Sequence, residues 1–264
     1  GTVGAIALGS PVIEKHSTRN HTERMIRHFH GNIESISYNA GNKISYKSSK
    51  LIPTKFYEVV GDFSSAAFLI VAALIAKKSN IVIKNVGLNP TRCGLIDILK
   101  SMGGSIDIKN HKVTSNEEVG DIYVSSSSLK GIHISEDVIP NIIDEIPILT
   151  IAAAFAEGET LISNAEELRV KESDRLQAIS DGLIKINIKH ELYQDGIKLF
   201  GSSEDISVSP EINSHGDHRI AMSFLIASLR SENGIFVKDC KNIFTSFPEF
   251  IEVIQSLGID IHER

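Results

Sequence analysis

The sequence predicts an α/β fold: three similar βαβ-type units packed around buried helices. Three observations predict it. The 264-residue chain repeats itself, each repeat opens on a helix that is apolar almost all round, and short β-branched strands alternate with the helices. The first repeat reads "GDFSSAAFLIVAALIAKKSNIVIKNV" and continues "NPTRCGLIDILKSMGGSIDI". The second reads "IDEIPILTIAAAFAEGETLISNA" and continues "RVKESDRLQAISDGLIKINI". The third reads "GDHRIAMSFLIASLRSENGIFVKDC" and continues "SFPEFIEVIQSLGIDI". Asp62, Asp144 and Asp217 lead the three.

Taken in order, residues 19–36, "RNHTERMIRHFHGNIESI", read as the second helix and strand of a fourth unit. Its Ala-rich first helix is absent or shrunk to "VGAIALGS". A strand, loop and helix without partners would expose an apolar side, so the chain reads as beginning inside a domain. Residues 40–58 are polar and turn-rich, which suits a hairpin and a crossing linker. The division expected is therefore 1–58, the residual end of one domain plus the linker, and 59–264, a domain of three repeats. Within each repeat, an all-apolar first helix suits burial beneath a sheet. The second helix is amphipathic, as in Leu95, Ile96, Ile98 and Leu99. The strands "IVIKNV", "TLISNA" and "GIFVKD" are short and β-branched. A hairpin in each unit separates this pattern from a simple Rossmann chain.

Composition removes several classes of function. A net charge of −6 argues against a sequence-blind nucleic-acid binder. Cys93 and Cys240 lie far apart without metal-ligand spacing, so neither a disulfide framework nor a zinc site is expected. The run "AAFLIVAALIA" at 66–76 is too short to span a bilayer. The first residues lack the basic segment of a signal peptide, and a cytoplasmic location is expected.

The charged stretches then carry the chemistry. Residues 167–175, "ELRVKESDR", place Lys171, Glu172 and Arg175 at a helix start whose apolar face is Leu176, Ile179 and Leu183. Glu172 and Arg175, three apart, share a face. Two readings stay open. One is a solvated first turn with an intrahelical ion pair, which charge spacing alone favours. The other is an oxyanion site, where Arg offers a planar fork, Lys a point charge and Glu a group able to move a proton. In "HGDHRIAMSFL" Asp217 is placed to cap a helix, whereas Arg219 opposes the helix dipole unless it helps the free N–H groups bind an anion. His218 has no second ligand at metal spacing, and a structural or electrostatic role is preferred. In "NIIDEIPIL", Asp144 and Glu145 interrupt an apolar run, so at least one must face a cleft, a cap or a cation. Arg19 precedes a helix that Asn20 or Thr22 is placed to cap. Ser246 is expected to cap a helix near Pro248, and "NPTR" at 89–92 reads as a helix start. No GxGxxG, Walker A, GxSxG or HExxH pattern occurs, which removes support for dinucleotide, P-loop and serine-hydrolase readings.

Taken together, "TRNHTERM", "GDFSSAAF", "NPTRCGLI", "IDEIPIL", "AAAFAEGET", "EELRVKESDRL", "DHRIAMSFL" and "TSFPEF" resemble the EPSP synthase (3-phosphoshikimate 1-carboxyvinyltransferase) family. They look most like its class II, glyphosate-tolerant branch. The resemblance runs from about residue 17 to the C-terminus, and RVKESDR with DHRIAM is a highly specific pair. It implies the inside-out α/β enolpyruvyl transferase fold, with βαββαβ units, inward-packed helices and an active site between two domains. It implies enolpyruvyl transfer from phosphoenolpyruvate to the 5-hydroxyl of shikimate 3-phosphate, in chorismate synthesis, by a monomer without metal or organic cofactor. Nucleic acid and membrane are not among the expected partners.

Carried over by residue, the resemblance implies that Asp144 accepts the 5-hydroxyl proton and contacts shikimate 3-phosphate. Lys171 and Arg19 match groups on the shikimate 3-phosphate side, and Glu172 matches the carboxylate of proton transfer at the methylene carbon. Arg175 and Arg219 match the arginines that hold phosphoenolpyruvate. Thr245 or Ser246 stands where class I enzymes carry a lysine near their "FPD". The family exceeds about 400 residues, and this chain lacks the N-terminal Lys-Ser pair, two arginines beyond it and the Ser-(Ser/Ala)-Gln segment. Two other readings remain. An enolpyruvyl transferase acting on UDP-N-acetylglucosamine shares the fold but uses a loop cysteine whose surroundings neither Cys93 nor Cys240 has. A catalytically incompetent remnant, or a subunit needing the absent half, is the third.

Overall fold

A computed structural model of the chain describes residues 11–15, 18–39 and 41–262. The stretch "VGAIALGS", read above as a shrunken helix, lies outside them. One small motif recurs through the described chain. It first appears as β1 (Val12–Glu14), α1 (His21–His28), β2 (Asn32–Tyr38) and β3 (Gly41–Lys47), with sheet order β1-β3-β2. After α2 (Phe63–Ile75), it returns as β4 (Asn80–Gly87), α3 (Gly94–Ser101), β5 (Ser105–Thr114) and β6 (Glu117–Ser125), ordered β4-β6-β5. After α4 (Ile139–Ile142) and α5 (Ile146–Ala154), it returns as β7 (Gly158–Ile162), α6 (Arg175–Lys185), β8 (His190–Leu192) and β9 (Ile197–Gly201), ordered β7-β9-β8.

The order has a simple cause. In each sheet both edge strands run antiparallel to the middle strand, so they run parallel to one another. Two parallel strands that follow one another in the chain need a crossover, which the amphipathic helix supplies, while a hairpin returns the last strand to the centre between them. In the β5–β6 hairpin the two linking residues, Ser115 and Asn116, both take positive φ, as the right-handed strand twist favours. The helix and strand read from residues 19–36 are thus present, in the topology of a fourth unit.

The third repeat departs from expectation. β10 (Glu211–Asn213) pairs in parallel with β11 (Phe236–Lys238) across α7 (His218–Ala227), and α8 (Ile243–Ser246) and α9 (Phe250–Ser256) follow. The expected closing strand in "SLGIDI" does not form among the described residues. Gly258, at φ +85°, turns the chain off the end of α9, and Ile259 and Ile261 pack against the core instead. Ser246 likewise ends α8 rather than capping α9, which Glu249 precedes. The NPTR turn holds through Asn89, whose Oδ1 accepts from the Thr91 N–H at 3.0 Å, but α3 begins only at Gly94.

The interior is helical. Every residue of α2 except Ser65 is buried, as is every residue of α5. With α7 they touch in all three pairings, sheets and amphipathic helices lying outside. Helices with no polar face have no stable place but such a centre. One continuous apolar cluster runs from Phe63 to Ile254, while Ile33 and Ile44, with Val12, Ile26 and Tyr46 against them, form a separate small one. Polar contacts join the two parts. Asn89 Nδ2 donates to Asn20 Oδ1 at 2.8 Å, and His21 Nδ1 lies 2.7 Å from Glu117 Oε1. Asn20 occupies the α1 cap position without capping it, its side chain being taken by these contacts and by Arg24. Among the described residues no helix is long and apolar enough to cross a membrane.

Gly182 gives a test of the packing. It brings α6 so close to α7 that a Cβ would enter the ring of buried Phe224. An exposed helical Gly→Ala change stabilises by about 1 kcal/mol, but overpacking costs about 1–3 kcal/mol. Gly182→Ala is therefore expected to lower the urea midpoint, and a raised midpoint would show that the helices do not meet here.

Candidate active site

The site begins where three buried helices begin. Asp62 caps α2 by accepting from Ser65 N at 2.8 Å, and Asp217 caps α7 by accepting from Arg219 N at 2.9 Å. Glu145 stands at the entrance of α5. These first turns meet: the Ser64 hydroxyl donates to Glu145, and Arg219 donates from Nη1 to Glu145 Oε1 and from Nη2 to Ser64 Oγ, each at 3.4 Å. Helix N-termini carry unpaired N–H groups and partial positive charge, so three at one place, with arginines added, make an anion-attracting centre.

Asp144 lies beside that junction and does not cap α5. Arg19 donates to its carboxylate. Arg175 Nη1, Arg92 Nη1 and Lys171 Nζ stand 3.5, 3.6 and 3.9 Å from it. Its backbone oxygen accepts from Arg219 Nη1 at 2.7 Å. Burial would push the Asp144 carboxyl up; the Arg19 hydrogen bond and the charges of Arg219, Arg19 and Lys171 outweigh it and hold the group well below the usual carboxylate range.

Arg175 settles the question left open by ELRVKESDR. It is the first residue of α6 yet only 1% exposed, so this is not a solvated turn. Its Nε donates to the fully buried Asp217 Oδ2 at 2.8 Å, and Nη2 donates to Glu172, the expected ion pair. The bland reading does hold for parts of the stretch. Asp174 caps α6 through Gln177 N at 3.0 Å, and Glu167 pairs with Lys171. Lys171 and Glu172 precede the helix rather than opening it. Arg169 holds their loop in place by donating to the backbone oxygens of Gln194 and Tyr193 at 2.6 and 2.7 Å, and to Asp174 at 2.9 Å. Burial, and then the charge of Arg219, lowers the His218 ring below its ordinary value, so it is the less able to serve as a further cation.

The fold thus brings Arg19, Asp144, Lys171, Glu172, Arg175 and Arg219 to one place from four separate stretches of chain. A cavity of about 250 Å³ opens between Arg19, Asp144 and Lys171, floored by Pro140 and Ile143. A larger groove of about 450 Å³ lies elsewhere, against Asp97 and His133. Its described lining contains neither Lys nor Arg, so it is a poor place for an anion. Sequence reading missed Ser64, Arg92 and the buried role of Glu145. Arg92 looked like part of an ordinary turn, and only the fold carries it to Ser64 and Asp144. The signal available for Glu145 was a carboxylate inside an apolar run.

Similarity to known proteins agrees with this geometry. The family model for EPSP synthase (3-phosphoshikimate 1-carboxyvinyltransferase) matches residues 4–254. The 3-phosphoshikimate 1-carboxyvinyltransferase of Hydrogenovibrio crunogenus is 44% identical over 95% of this chain, and that of Petrotoga mobilis is 45% identical over 93%. The chain spans 56% of each of those relatives. A solved structure of EPSP synthase from Acinetobacter baumannii superposes with a TM-score of 0.88 at 41% identity, over 96% of this chain and 59% of that one. The enolpyruvyl transferase NikO from Streptomyces tendae, at 16% identity and a TM-score of 0.72, shares the fold. Buried helices ringed by repeated small sheets are the fold of the enolpyruvyl transferase class, shared with these solved structures. Within that class the chain belongs to the EPSP synthase family.

The buried ion pairs make a pH prediction. The Arg175 hydrogen bond and charge, with the backbone N–H groups of Arg219 and Ile220, outweigh burial and hold the Asp217 carboxyl below its ordinary value, as Arg19 and its neighbours do for Asp144. Both carboxyls bind protons more weakly folded than unfolded. Their stabilisation is present above about pH 4 and is lost as pH falls through the carboxylate range. Asp217→Asn leaves the Arg175 charge buried and is expected to cost about 3–5 kcal/mol at neutral pH. It should also flatten the decline on acidification, and urea midpoints measured from pH 7 to pH 3 read both effects.

Proposed function

We propose that this chain carries much of a site that transfers the enolpyruvyl group of phosphoenolpyruvate to the 5-hydroxyl of shikimate 3-phosphate, releasing phosphate. The observation that carries the reading is the gathering of Arg19, Lys171 and Arg175 around the Asp144 carboxylate, with Arg219 on its backbone oxygen, where helices begin. Two polyanionic substrates repel one another, and fixed cations must offset that repulsion before reaction. In this reading Lys171 and Arg19 receive the 3-phosphate, and Arg175 and Arg219 hold phosphoenolpyruvate. Asp144 accepts the 5-hydroxyl proton as the new C–O bond forms. Glu172, beside Arg175, gives a proton to the methylene carbon and takes one back as the C–O bond to phosphate breaks. Asp144 is a poor base while Arg19 and Lys171 neutralise it. Their attraction to an incoming phosphate leaves the carboxylate free to accept a proton.

The division at 1–58 and 59–264, with the cleft between, fits the two separate apolar clusters. The class II assignment rests on Thr245 or Ser246 standing where class I carries a lysine. A transferase chemistry based on cysteine is disfavoured. Burial, then Asp97, pushes the Cys93 thiol up to about 11, and burial also raises Cys240, the reverse of an activated thiol. A second reading rests on length. Because the chain spans 56% of its relatives, turnover would belong to it together with the part of their length it does not span.

Phosphate release from shikimate 3-phosphate and phosphoenolpyruvate tests both readings. The expected result is no appreciable turnover by the 264-residue chain alone and turnover once it is joined to the N-terminal portion of a relative. Ordinary turnover by the chain alone would remove the second reading, and none in the joined form would remove the first. In the joined form, Arg219→Ala is expected to weaken phosphoenolpyruvate binding about 100-fold or more. Unchanged KM and kcat would take Arg219 out of the site.

A further inference from the structure

Arg92 lies far from Asp144 and Arg219 in sequence, yet its guanidinium is buried among them. Its Nη2 donates to Ser64 Oγ, the oxygen that also accepts from Arg219, and the same hydroxyl donates to Glu145. One hydroxyl and one carboxylate therefore hold two guanidiniums side by side. A bridge built only for stability would satisfy each polar atom that it buries. Here Arg92 Nη1 and Glu145 Oε2 are buried without a hydrogen-bond partner. Arg92 Nη1 stands 3.6 Å from Asp144 Oδ2 and 3.7 Å from Glu145 Oε1, within range of both charges and bonded to neither. The Asp144 carboxylate takes its hydrogen bonds from Arg19, whose side chain is 41% exposed, and from buried Arg175 Nη1 at 3.5 Å. Arg19 and Lys171, at 24%, have solvent into which to turn, and Arg92 has little.

We propose that Arg92 is a positioning residue for the enolpyruvyl-transfer site: through Ser64 and Glu145 it fixes the Arg219 guanidinium where it meets the Asp144 backbone oxygen. This rests on the functional reading above. Glu145 depends on Arg92 in turn. Burial pushes its carboxyl up, and the charge of Arg92 opposes that most, ahead of Arg219 and the Ser64 hydrogen bond. With Arg92 removed, Glu145 tends to take a proton and Arg219 loses a charged acceptor.

The 264-residue chain itself serves for the test. Three quantities are read in wild type, Arg92→Met, Glu145→Gln and the double variant: thermal midpoint, the Arg219 Nε–Hε signal in ¹⁵N-labelled protein, and phosphoenolpyruvate affinity by calorimetry. Arg92→Met is expected to shift or broaden the Arg219 signal and to weaken binding about tenfold, the scale of a lost charged hydrogen bond. The double variant, which removes both members of the buried pair, should regain the thermal midpoint but neither the signal nor the affinity. Recovery of all three in the double variant would make Arg92 a stability element and overturn the proposal, as would wild-type signal and affinity in Arg92→Met. If Arg92→Met does not fold, Ser64→Ala carries the same two readouts, and unchanged values there overturn the proposal. A wild-type chain that does not bind phosphoenolpyruvate counts against the functional reading, and the Arg219 signal then still decides whether Arg92 positions that side chain.

Discussion

The contact of Ser64, Glu145 and Arg219 joins the first turns of three buried helices, and the remaining architecture follows from it. α2 and α5 have almost no polar surface along their length, so they must be enclosed. Their N–H ends cannot be enclosed in the same way, because unpaired backbone donors are costly in an apolar interior. Bringing the three starts together confines that polarity to one place. The sheets and amphipathic helices then complete the covering of the bundle, and the uncovered polar centre becomes the site.

Electrostatics at this centre is a balance. Arg175 and Asp217 are almost wholly buried, where the desolvation of two charges consumes much of their attraction. Such a pair adds little net stability while intact, yet removing either member is severe. It therefore specifies geometry more than it supplies energy. The same balance keeps Asp144 ionised and neutralised among Arg19, Arg175, Arg92 and Lys171. Arg19 and Lys171 are the cations of this set that face solvent, and Arg175 and Arg92 are the buried ones.

The repeated unit shows how little sequence such a design needs. Three sheets share one strand order although their strands differ in length from three residues to ten. The third repeat keeps its buried helix and loses the closing hairpin among the described residues, because Gly258 redirects a chain whose last apolar residues find the core first. What it brings to the candidate site, Arg219 and the Asp217 that buries Arg175, comes from the helix start, which is the part retained.

The local pattern by itself determined the buried helices, the alternating strands, the cap at Asp217 and the Glu172–Arg175 pair, because each depends on neighbours within a few residues. It also marked Asp144 and Arg219 as charges out of place. Tertiary structure alone decided that Arg175 is buried against Asp217 rather than solvated, and that Arg19 reaches Asp144 across 125 residues of sequence. It alone made a partner of Arg92, whose turn looks ordinary until Ser64 and Glu145 are brought to it. The physical reason is range. Capping, periodicity and side-chain pairs on one helix act over one or two turns, whereas burial and the meeting of helix ends depend on elements that only the complete packing brings together.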